Sequence, residues 1–81
     1  MTKTPRNLAG RKLADRLNRL GYFEDHQSGD HLVLTTFELG EHHISVPLHK
    51  PIKIGTLSKI LKKIAAHFDI TVADLLNRLG L

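Results

Sequence analysis

The apolar residues of this chain change their period twice, and those two changes constrain the fold more than anything else in the sequence. Between Leu8 and Leu20, Leu13, Leu17 and Leu20 recur at i, i+4 and i+7, the spacing of one helix face. From His31 the chain reads "HLVLTTFEL" and, after Gly40, "HHISVPL". These runs are rich in β-branched and aromatic residues, and Ile44, Val46 and Leu48 alternate with His43, Ser45 and His49 as a half-buried strand requires. The helical period then returns through Leu57, Ile60, Leu61, Ile64 and Phe68, and again through Val72, Leu75, Leu76 and Leu79.

Residues 22–27 supply a further short strand before the Ser28-Gly29-Asp30 turn. The expected order is therefore α-β-β-β-α-α: an α+β domain in which a three-stranded antiparallel sheet carries its helices on one face. Pro47 suits an edge strand or a strand end. Gly21 should stop the first helix, and an Asp15–Arg19 ion pair should support it. Thr56 is the expected N-cap of the second helix, and Thr71 with Asp74 the capping box of the third.

With 81 residues the chain makes one domain, 1–81, because so short a chain buries only about 60–65 % of its unfolded surface and cannot divide its core. Residues 1–6 are expected to be flexible. The N-terminal "MTKTPRNLAGRK" has no apolar run of signal-peptide length, and no membrane-spanning run follows, so neither export nor membrane insertion is expected. The absence of cysteine removes disulfides, thiolate ligands and a cysteine nucleophile, in agreement with a reducing cytoplasm.

The net charge of +4 conceals a strong partition. Residues 1–21 carry +5, residues 22–49 carry −5 with no Lys or Arg, and residues 50–81 carry +4. Five of the six histidines lie in the acidic middle: His26, His31, His42, His43 and His49. Basic flanks favour an anionic partner. Lys12, Arg16 and Arg19 form a stripe on the first helix, and Lys59, Lys62 and Lys63 lie outside the apolar face of the second. Either set reads as a solvated polar face or as a phosphate-contacting surface.

No metal site and no cofactor are expected. His42 and His43 are adjacent in a strand and point to opposite faces, and no helical His-x-x-x-His pair exists. His67 suits a helix C-terminus, where the dipole favours it. Nucleophile-elbow and glycine-rich phosphate-loop patterns are lacking. His31, where the turn enters a strand, reads on its own as a structural or exposed residue. Its chemistry also suits general acid–base work, and RNA supplies its own 2′-hydroxyl nucleophile.

Four spaced elements sharpen that choice: Leu20-Gly21-Tyr22, Gly29-Asp30-His31, Val46-Pro47-Leu48-His49 and Gly55-Thr56-Leu57-Ser58-Lys59-Ile60-Leu61. Over residues 8–79 the chain resembles the HicA toxin family, small mRNA interferases with a double-stranded-RNA-binding-like fold. The resemblance implies a metal-independent endoribonuclease acting on mRNA, with His31 as general acid/base, and a HicB-type antitoxin that covers it. Gly29 then shapes the loop for close approach of phosphate, and Lys12, Arg16, Lys59 and Lys62 are candidate RNA contacts. The family often has serine where Asp30 stands and basic residues before it, whereas "EDHQS" has none. A carboxylate there either orients His31 or repels phosphate. A non-catalytic RNA-binding module of the same fold, or a protein that docks a partner through its acidic strands, would share these features.

Overall fold

The computed structural model describes residues 4–81. Of the expected flexible lead, residues 1–3 lie outside the described residues and 4–6 adopt no helix or strand. Helix α1 spans Gly10–Leu17 and tightens into a 3₁₀ turn over Asn18–Leu20, after which Gly21 ends it. Strands β1 (Phe23–Ser28), β2 (His31–Thr36) and β3 (His42–Pro47) follow, then helices α2 (Ile54–Phe68) and α3 (Val72–Leu79). The order α-β-β-β-α-α is the expected one.

The sheet is antiparallel in the order β1-β2-β3, so Pro47 does lie on an edge strand. Leu32, Leu34, Ile44 and Val46 point from its covered face into a core shared with Leu13, Leu17, Leu57, Leu61, Ile64, Leu75 and Leu79. Burying a side chain of this size contributes on the order of 2 kcal/mol, so these residues dominate the stability. Strand β1, by contrast, is exposed along its whole length. No described helix is long and apolar enough to cross a membrane.

Two local expectations fail. The N-cap of α2 is Lys53, with no side-chain cap, and Thr56 lies inside the first turn. The cause is non-local: Ile52 is buried and its N–H donates to the Leu8 carbonyl at 2.9 Å, so the following residue is already placed to begin the helix. Asp15 and Arg19 form no ion pair among the described residues, because both Arg16 and Arg19 reach the far end of α3, within 2.8 Å of the place a Gly80 Cβ would occupy. The N-cap of α3 is as expected: Thr71 Oγ1 accepts from the Asp74 N–H at 3.0 Å.

One contact positions α1 against the sheet. A Cβ on Gly10 would stand 1.9 Å from the Pro47 carbonyl oxygen, so only glycine permits this approach. The Gly10 N–H donates to the His49 carbonyl at 3.0 Å, tying the start of α1 to the chain just beyond β3.

Candidate active site

The β1–β2 hairpin closes through a two-residue loop, Gly29-Asp30, between the paired residues Ser28 and His31. Gly29 has φ +59, a conformation that most side chains disfavour, and open space surrounds the position of its absent Cβ. The Asp30 carbonyl accepts from the Leu48 N–H at 2.7 Å, joining the loop to the segment after β3. Two turns remote in sequence thus meet at one corner of the sheet.

Three side chains converge there. His31 Nδ1 lies 2.8 Å from Asp30 Oδ1, and His49 Nε2 lies 3.0 Å from Asp30 Oδ2. A carboxylate only accepts hydrogen bonds, so His49 presents its Nε2–H to it, whereas His31 Nδ1 makes a close contact without hydrogen-bond alignment. His49 is thereby held with its Nε2–H on Asp30, and His31, with Nδ1 against the carboxylate, turns Nε2 away from it. The bond from His49, and then the closeness of His31, pulls the Asp30 carboxyl below the usual carboxylate range. About half of each imidazole surface is exposed, which leaves both within reach of a polymeric substrate.

His31 faces away from the core, next to Pro47 of β3, and lies where two cavities join. The larger, of about 320 Å³, runs where the open face of the sheet meets α2, between His31, His43, Ser45 and Pro47 on one side and Thr56, Lys59, Ile60 and Lys63 on the other. The smaller, of about 220 Å³, is lined by His31, Pro47, His49, Lys53 and Thr56. Three lysines therefore border a groove that leads to one imidazole. The first-turn N–H groups of α2 add to this field, since they lack intrahelical acceptors and carry the positive end of the dipole.

A second polar chain stiffens the same sheet face. Thr35 Oγ1 donates to Asp25 Oδ2 at 2.9 Å and sits 2.7 Å from His43 Nδ1, while His43 Nε2 lies 2.6 Å from Glu41. The Thr35 bond, followed by that from His26, draws the Asp25 carboxyl below its ordinary range. This chain crosses all three strands and fixes the ring that forms the far wall of the groove.

Residues 10–65, from the start of α1 into the last turns of α2, match the family model described as HicA toxin of bacterial toxin-antitoxin. The chain belongs to the HicA toxin family. No curated protein and no solved structure matches it.

Within this HicA domain the residues singled out from the sequence separate into two groups. His31, Gly29 and Lys59 gather at or beside the corner and its groove. Lys12 is exposed on α1 and Lys62 on α2, and neither is among the groove-lining residues. Arg16 is engaged elsewhere, donating to the carbonyls of Leu79 and Gly80 at 2.8 and 2.9 Å and so satisfying the C-terminal end of α3. The HicA groove instead recruits Lys53 and Lys63, together with His49 and Thr56. A helical-period signal for part of this set was present, since Thr56, Lys59, Ile60 and Lys63 fall at i, i+3, i+4 and i+7 and share one face of α2. His49 carried only its place in the Val-Pro-x-His element.

Proposed function

We propose that this chain is the toxin of a type II toxin–antitoxin pair, an mRNA interferase that cuts message in the cytoplasm and so inhibits translation. Residues 1–81 act as one unit, and a HicB-type antitoxin restrains it by covering His31. The observation that carries this reading is the tethered, half-exposed imidazole of His31 at the head of a lysine-bordered groove.

His31 Nε2 takes the proton of an RNA 2′-hydroxyl, and the 2′-oxygen attacks the adjacent phosphorus. The bond from phosphorus to the 5′-oxygen breaks, leaving a 2′,3′-cyclic phosphate and a 5′-hydroxyl. Negative charge growing on the phosphoryl oxygens is offset by Lys53, Lys59 and Lys63 and by the N-terminus of α2. No metal is required, since the nucleophile comes from the substrate and the charge is met by lysines. Gly29 keeps the loop beside His31 open to phosphate, whereas Lys12, Arg16 and Lys62 could contact only RNA that extends beyond the groove. A single strand fits better than a duplex, because its backbone can bend into the corner.

Purified chain incubated with unstructured RNA tests this. Cleavage that persists in chelator, and that falls about 10²–10⁴-fold in His31→Ala, is the expected result. Salt-sensitive binding without any product would make it a non-catalytic RNA-binding module, and chelator-sensitive cleavage would overturn the metal-free mechanism.

A further inference from the structure

The cleavage just described leaves one proton unassigned, because a 5′-oxygen leaves as an alkoxide unless something protonates it. We infer that His49 is a second catalytic residue, the general acid that supplies this proton, and that Asp30 is the shared positioning residue for both imidazoles. The inference rests on the reading of the chain as a ribonuclease and adds to it a second proton-transfer group.

The geometry gives three grounds. His49 lines the same small cavity as His31, together with Pro47, Lys53 and Thr56, so a phosphate lodged there meets both rings. Both imidazoles contact opposite oxygens of one carboxylate, at 2.8 and 3.0 Å, which fixes their spacing, and the hydrogen bond through His49 Nε2 leaves Nδ1 as the atom by which that ring can give a proton. The backbone on each side is also held: the Asp30 carbonyl accepts from Leu48 N–H, and the His49 carbonyl accepts from Gly10 N–H. An exposed histidine outside a regular strand needs no such support for stability. Two rings oriented by one group and opening on one cavity suit a reaction that takes one proton and returns another.

The atoms balance without a co-reactant. The 2′-hydroxyl proton passes to His31, the 2′-oxygen to phosphorus bond forms, and the phosphorus to 5′-oxygen bond breaks. The leaving oxygen takes the Nδ1 proton of His49, which enters the reaction as imidazolium with its Nε2–H held on Asp30. Proton exchange with water then restores both rings.

The test uses the full chain and an oligoribonucleotide carrying a bridging 5′-sulfur at the linkage the wild-type chain cuts. A thiolate leaves without protonation, so the sulfur substrate does not need the acid. His49→Gln is expected to lose about 10²–10⁴-fold on the oxygen substrate but to come within roughly tenfold of wild type on the sulfur substrate. His31→Ala is expected to remain slow on both. Equal impairment of His49→Gln on the two substrates, or wild-type cleavage of the oxygen substrate, overturns the assignment while leaving the ribonuclease intact. If the wild-type chain cuts neither substrate, the ribonuclease reading falls and this inference with it. Should His49→Gln fail to fold, the wild-type pH–rate profile decides: a bell supports two proton-transfer groups, and a single limb overturns them.

Discussion

His42 and His67 stack with their ring centroids 4.5 Å apart and their planes 13° from parallel. Tyr22 Oη sits 2.7 Å from His42 Nδ1, and His67 Nε2 donates to the Glu38 carbonyl at 2.9 Å. Burial, and next the proximity of His67, holds the His42 ring below the usual imidazole range, with His43 and Lys63 adding repulsion. Burial likewise pushes the Tyr22 hydroxyl up to about 12, so it stays protonated throughout the working range.

Stability should therefore fall on mild acidification. The unfolded chain takes up a proton at His42 before the folded chain does, so the loss begins as pH drops through about 6.5 and stops growing below the folded-state value. Urea unfolding at pH 7.5 and at successively lower pH measures it. His42→Gln should flatten the decline, and an unchanged slope would assign it to other groups.

RNA affinity should track the groove lysines rather than basic charge in general. With cleavage silenced by His31→Ala, Lys59→Ala and Lys63→Ala should each reduce the slope of log K against log salt by about 0.7, the value for one phosphate contact on a single strand. Lys12→Ala, on a surface outside the groove, should change it much less. Equal effects from all three variants would mean a diffuse basic surface.

Arg16 should matter to folding more than to RNA. Its guanidinium satisfies the Leu79 and Gly80 carbonyls, so Arg16→Ala should cost about 1–2 kcal/mol in denaturant unfolding. The salt slope of RNA binding should hardly move, and the reverse pattern would return Arg16 to the interface.

Periodicity made the element order readable, because each helix and the core strands β2 and β3 carry a one-sided apolar pattern dense enough to exceed any local preference. The start of α2 was not readable in this way. Gly55-Thr56 looks like a cap, and only the hydrogen bond from Ile52 to Leu8, distant in sequence, starts the helix earlier. The site divides along the same line. His31 stands in a local motif that makes it a candidate, whereas the place of His49 beside it depends on a carboxylate in the β1–β2 loop that reaches the segment after β3. The basic stripe containing Arg16 is legible, but its carbonyl acceptors at the other end of the chain are not. Lys63 rather than Lys62 borders the groove because it shares the α2 face of Thr56, Lys59 and Ile60, but that this face lines a groove with β3 depends on tertiary packing that the spacing does not carry.

Gly10 has no functional group and lies outside the groove, yet its missing methyl lets α1 close on Pro47 and hold His49. In a growth-inhibiting chain, survivors of unrestrained expression sample the substitutions that disarm it. By this geometry such escape mutants should accumulate at codon 10 as well as at codon 31. Those at codon 10 would keep every charged and polar side chain, so an inventory of catalytic groups would score them as intact toxins.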